Sequence, residues 1–345
     1  MRVLACLAVL LAVYQTPAFA EEDPVMKEAQ ETFKPIPLTP PAGKGVPSTP
    51  AMIALGKALF FDPRMSISHN ISCNTCHQIG LAGVDLLPTS IGHKWQAGSR
   101  NAPTVFNSVF NKAQFWDGRA ADLKEQAAGP MQNPIEMGMT SEHAIQVLKG
   151  VPGYAPLFKA AFPSDPDPIT LSNVATAIAA FEGTLITPNA PFDKYLRGDG
   201  TALTTEQKEG LKLFMGKGCA SCHDGINVGG QSYRPFGVVE RPGAHILPPT
   251  DKGRLMVTHT ADDEYVFRVP ALRNVALTPP YFHSGSSWDL REAVAVMGTS
   301  QLGEKISPDE ITKITAFLES LTGDQPQIEY PILPPSVVTT PRPLK

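Results

Sequence analysis

Cys73-Asn-Thr-Cys76-His77 and Cys219-Ala-Ser-Cys222-His223 decide how this chain is read. The two pentads use every cysteine outside the first twenty residues. Cys-x-x-Cys-His is the attachment pattern of c-type haem: two thiols bond the vinyl groups, and the adjacent histidine becomes an axial iron ligand. Cys-x-x-Cys pairs also build zinc sites, but zinc does not require a histidine directly after the second cysteine in both copies. A disulfide across two intervening residues is chiefly a redox-active motif and fits less well. The pentads therefore predict two covalently bound haem c groups.

Upstream, Arg2 precedes an apolar run from Val3 to Val13, and Ala18-Phe19-Ala20 stands before Glu21-Glu22-Asp23. These are the parts of a secretory signal peptide over residues 1–20, with Cys6 inside it. The run is short of the ~20 apolar residues a membrane-spanning helix needs. A cleaved leader ahead of haem c motifs predicts export to the periplasm, with no membrane span after cleavage. Of the 29 Lys and Arg only Arg2 lies in the leader, which leaves 28 against 33 acidic residues. That balance nominates neither nucleic acid nor an anionic membrane as a partner. Proline clusters at residues 34–50 and again after Gln325, where extended surface segments are expected.

An internal duplication organises the rest. Leu55-Gly-Lys-Ala-Leu-Phe-Phe61 and Gly210-Leu-Lys-Leu-Phe-Met215 precede the two pentads. Ser48 or Thr49 can cap the first helix and Thr204 or Thr205 the second. Leu55, Leu59, Leu211 and Phe214 would then face a core. Further along, Pro103, Asn107, Phe115, Gly118, Asp122, Leu123 and Glu125 reappear 167 residues later as Pro270, Asn274, Phe282, Gly285, Asp289, Leu290 and Glu292. The pentads are offset by only 146, so about 21 extra residues are expected within Val228–Asp263. The expected fold is mainly α: two tandem haem units with long loops and little β structure. Their expected bounds are 21–190 and 191–325, followed by a proline-rich tail at 326–345.

The copies differ where chemistry would differ. Met297 ends the second repeat, whereas the first has Pro130 at that place, followed by a loop bearing Glu136. Met297 suits a His/Met haem with His223 and a raised potential; Met256 is a rival ligand, and core packing is the ordinary fate of such a methionine. For the first haem, with His77 as one axial ligand, His93 and His69 both stand as candidates for the other. Glu136 reads either as a solvated carboxylate or as a proton carrier in peroxide cleavage, if partial burial raises its pKa. Gln126 could hydrogen-bond peroxide or orient Glu136. Trp116 occupies the position of His283 in the other copy, and an aromatic ring there could shorten an electron path.

Together the pentads, Phe115-Trp-Asp-Gly-Arg119, Asn133-Pro-Ile-Glu-Met-Gly138, Pro280-Tyr-Phe-His-Ser-Gly285 and Val296-Met-Gly298 resemble the bacterial dihaem cytochrome c peroxidases over nearly the whole mature chain. The resemblance implies a low-potential, peroxidatic haem at Cys73, Cys76 and His77, with His93 as a distal ligand that can leave. It implies a high-potential haem at Cys219, Cys222, His223 and Met297 that accepts electrons from a small cytochrome c or blue copper protein. Glu136 falls on the family's acid/base, Gln126 on its active-site glutamine and Trp116 on the tryptophan between the haems. Asn101, Thr278 and Pro280 fall on positions that bind an interdomain calcium ion. Hydrogen peroxide as substrate, a homodimer and a tail folded back over the first unit are implied as well. A relay cytochrome would need permanent six-coordination and no Glu136. A related tryptophan-modifying oxidase carries tyrosine where this chain has Met297.

Overall fold

The computed structural model describes residues 23–41 and 48–344, so the expected leader lies outside the described residues. In chain order the helices are α1 (Pro24–Thr32), α2 (Pro50–Phe61), α3 (Cys73–Cys76), α4 (Leu123–Gln132), α5 (Ser141–Lys149), α6 (Tyr154–Ala161) and α7 (Leu171–Glu182). They continue with α8 (Pro191–Leu196), α9 (Thr205–Gly216), α10 (Leu255–Thr258), α11 (Leu290–Met297) and α12 (Pro308–Glu319). Strand structure among the described residues is confined to one antiparallel pair, β1 (Tyr233–Pro235) with β2 (Val266–Arg268), and a few isolated bridges.

Two helix pairs form the frames of the units. Thr49 caps α2 by accepting the Met52 amide at 3.2 Å, ahead of a proline in the first turn. Thr204 caps α9 in a capping box with Gln207, each side chain accepting the other's amide. α2 crosses α7 at Gly56, and α9 crosses α12 at Gly210. A Cβ on Gly56 would overlap the Ala177 carbonyl and press on Phe181; one on Gly210 would overlap the Lys313 carbonyl and press on Phe317. Glycine is required at both crossings because backbone meets backbone. Leu55 and Leu59 are buried in the first core, Leu211 and Phe214 in the second.

The repeated asparagines meet at one shared hydroxyl. Asn107 and Asn274 are fully buried in left-handed conformation, at φ 59° and 60°. Their Nδ2 atoms donate to the same hydroxyl, Thr187 Oγ1, at 2.7 and 2.9 Å. The repeated aspartates, Asp122 and Asp289, cap α4 and α11. The extra stretch in the second unit supplies β1, α10 and Asp251. Arg100 of the first unit forks onto Asp251 at 2.6 and 2.7 Å and reaches Asp117 at 2.6 Å, closing the seam between units.

Residues at the start of the described chain depart from the expected first-unit boundary. α1 packs on α8 and α9, and Phe33 meets the Phe192 ring at 5.3 Å in the second core. Ile36 N donates to Asp193 Oδ1 at 3.0 Å, and the Asp193 carboxylate pairs with buried Arg273 at 2.9 Å. The physical reason is that Ala29 and Phe33 bury their apolar surface among residues of α8, α9 and α12 in the second core. Beyond residue 325 the chain runs over the first unit. Ile328 and Leu333 pack on its core, Arg64 donates to Ser336 at 2.9 Å, and Thr340 donates to the Gly150 carbonyl at 2.7 Å.

Candidate functional site

Each pentad winds one tight turn, which carries both thiols and the histidine to one side. The His77 amide donates to the Cys73 carbonyl at 3.0 Å and the His223 amide to the Cys219 carbonyl at 3.0 Å. The four pentad cysteines form no disulfide. No group of three or more His, Cys, Asp or Glu among the described residues is arranged to hold a metal. Burial pushes the Cys76 and Cys219 thiols up to about 11. Such surroundings suit a neutral thioether better than a thiolate.

Burial also lowers the imidazole pKa of His77, and takes that of His223 to about 4, so both rings keep a free lone pair at neutral pH. The backbone of Gly83 and Pro103 faces His77; that of Val228 and Pro270 faces His223. Pro103 and Pro270 are repeat partners, which explains their duplication: each brings backbone oxygen to a proximal histidine. Both Nδ1 atoms are buried without a hydrogen bond of good geometry. That arrangement leaves Nε2 of each ring to an iron. The donor set and the apolar walls fit haem c.

A cavity of about 340 Å³ runs from Cys219, His223 and Met297 past Trp116 to Val84 and Pro103 of the first unit. Met297 lines it, whereas Met256 is 61% exposed at the surface. Trp116 is fixed at the seam: its Nε1 donates to the Asn101 carbonyl at 2.9 Å, and its carbonyl accepts the Arg268 amide at 2.7 Å. Its ring stands edge-on to that of His283, the repeat partner, with centroids 6.1 Å apart. Asn101, Thr278 and Pro280, the three positions expected to bind calcium, are all among the residues that line this cavity. They offer neutral oxygen donors and no carboxylate.

In the first unit two loops meet. The His93 amide donates to the Glu136 carbonyl at 2.7 Å, and Gln96 Nε2 donates to the Pro134 carbonyl at 3.3 Å. The loop bearing His93 is mostly exposed, with Trp95 at 90%. His69, the other candidate, is near enough to His143 for its titration to feel that ring. Glu136 faces a second cavity of about 240 Å³ with Phe115, Arg119, Glu125, Pro130 and Asn133. Burial raises its pKa, opposed by a hydrogen bond from Asn133 and the charge of Arg119. Asn133 Nδ2 donates to Glu136 Oε1 at 2.6 Å. The orienting hydrogen bond thus comes from Asn133, which motif reading passed over, rather than from Gln126. The Asn133-Pro-Ile-Glu136 spacing, an amide three residues before the carboxyl, was the available signal. Gln126 lies on α4 one turn before Gly129 and Pro130, on the same helix face.

Residues 50–201 match the family model described as di-haem cytochrome c peroxidase, and residues 207–322 match cytochrome c. The cytochrome c551 peroxidase of Pseudomonas aeruginosa is 55% identical over 334 residues, 97% of this chain and 96% of that protein. That of Nitrosomonas europaea is 53% identical over 296 residues, covering 86% and 87%. Among solved structures, a MauG-like protein associated with microbial copper homeostasis superposes with a TM-score of 0.75 at 26% identity, over 84% of this chain and 95% of that one. Two haem c attachment turns in a duplicated helical frame, with relatives of this identity, settle the class: the chain belongs to the di-haem cytochrome c peroxidase family and is a peroxidase carrying two haem c groups.

Proposed function

We propose that the protein works in the periplasm, reducing peroxide at the haem held by Cys73, Cys76 and His77, with electrons that arrive at the haem held by Cys219, Cys222, His223 and Met297. The observation that carries this division is the asymmetry between the two repeat ends. Where the second unit places Met297 in an apolar cavity, the first places a half-buried Glu136 carboxyl, bonded to Asn133 and joined by backbone to the His93 loop.

Held by Cys73, Cys76 and His77 and by Cys219, Cys222, His223 and Met297, haem c would supply single-electron exchange and the reduction of peroxide. The chain's own residues do the rest. Glu136 accepts a proton from one peroxide oxygen and returns it to the oxygen that leaves as water; two electrons and two protons convert H2O2 to two waters. Asn133 holds the carboxyl in place, and Gln126 reaches the peroxide from the same helix face. His93 would be the side chain that swings clear of the first haem. Its amide bond to the Glu136 carbonyl ties loop opening to the position of the acid/base, so one population shift prepares both. Trp116, locked between Asn101 and β2, carries electrons across the seam. Calcium held by the Asn101 side chain and by the Thr278 and Pro280 carbonyls would stiffen that seam. A small cytochrome c or a blue copper protein is the donor, and the chain pairs as a homodimer after loss of residues 1–20.

The test is H2O2-dependent oxidation of a reduced small cytochrome c by holoprotein with calcium, fully oxidised or reduced by one electron. Turnover only in the half-reduced protein is expected. Turnover in both states would refute gating by His93. Absence in both, with the donor shown to reduce the second haem, would leave electron relay as the function.

A further inference from the structure

α7 carries one acidic side chain inside the first core. Glu182 is 3% exposed, and its Oε2 has no hydrogen-bond partner. The titratable residues on the helices packed against α7 are Lys57 on α2, Lys124 and Glu125 on α4, and Glu142, His143 and Lys149 on α5; none of them shifts Glu182. Burial alone pushes it up to about 8. The ionisable group whose titration feels its charge is Cys73, on α3.

The duplication shows where this carboxyl points in functional terms. Gly56 meets Ala177 and Phe181 as Gly210 meets Lys313 and Phe317, so Glu182 is the counterpart of Leu318. Leu318 lines the cavity of the second haem. The first unit therefore has a carboxyl where the second has an apolar haem-pocket wall, and its charge reaches the first haem-bearing cysteine. Such a group has no other partner in the fold to justify its burial.

We propose that Glu182 couples proton uptake to reduction of the first haem: its carboxylate takes up one proton from solvent as that haem accepts one electron from the donor, and releases it on reoxidation. An ionised carboxylate is favoured beside the more positive ferric centre. Adding an electron removes that positive charge and leaves the buried anion uncompensated, so protonation follows. The inference rests on haem attachment at Cys73 and Cys76.

The experiment is an optical redox titration of the holoprotein between pH 6 and 9, comparing wild type with Glu182→Gln and with Glu182→Leu, the residue of the second unit. The wild-type first haem is expected to show an added pH slope of up to tenfold in its reduction equilibrium per pH unit, 59 mV for a one-electron couple. Both neutral variants are expected to lose that added slope, while the second haem's slope stays unchanged. Should Gln not fold, Leu tests the same point. Equal slopes in wild type and variant, with both haems retained, would overturn the role of Glu182. A wild-type content other than two covalent haems per chain would overturn the attachment reading beneath it.

Discussion

Glu136→Gln is the substitution most informative about the chemistry. It keeps the side chain's shape, and its amide oxygen can still accept the Asn133 bond that Glu136 Oε1 takes at 2.6 Å. The loop and the His93 amide bond should therefore survive. What is lost is a proton acceptor. General acid–base groups contribute about 10²–10⁴ in rate, or about 3–5 kcal/mol at 1.36 kcal/mol per decade. Burial raises this carboxyl's pKa above its ordinary value, the direction that suits acid–base work near neutral pH. The sign of the pH dependence follows. Glu136 must be ionised to accept a proton, so wild-type turnover falls as pH drops through its raised pKa, at a higher pH than an ordinary carboxylate would give. The variant lacks that limb. Steady-state oxidation of reduced cytochrome across pH, with haem spectra as a control, measures both effects. Wild-type rates with intact spectra would refute the assignment.

Three further outcomes are expected. Met297→His should lower the second haem's potential in a redox titration and slow turnover without removing haem; an unchanged potential would exclude Met297 as its ligand. Gly210→Ala forces a methyl into the Lys313 carbonyl where α9 crosses α12, and overpacking of this kind costs about 1–3 kcal/mol, to be read as a lower melting temperature of the holoprotein. Asp193→Ala strands Arg273, which is 1% exposed and paired at 2.9 Å; breaking such a buried pair costs about 3–5 kcal/mol. A denaturation midpoint equal to wild type would show that the pair contributes nothing.

Much of the site was legible because covalent and ligand chemistry demands particular residues at fixed spacing. Haem attachment needs two thiols and a histidine within one turn, so Cys73 to His77 and Cys219 to His223 announce themselves. Duplication then made Met297 and Glu136 readable as differences between copies. The caps were nearly legible too: Thr49 and Thr204 were each one of two candidates, and backbone geometry chose between neighbours. Asn133 escaped notice because asparagine before proline is an ordinary turn residue, and only the fold of the loop turns its amide onto Glu136.

The sequence by itself determined the two haem attachment turns, the mainly helical class, the internal repeat and the residues in which its halves diverge, since each is written in short-range spacing. Tertiary structure alone decided that α1 leaves the first unit for the second, and that Asn107 and Asn274 share Thr187. It alone decided that Arg100 and Asp251 close the seam around Trp116, and that Glu182 stands unpartnered where Leu318 stands in the other copy. The hydrogen-bonded pairs among them join residues 80 to 151 positions apart. No local pattern encodes them, because they depend on which apolar faces remain open once the nearer helices have packed.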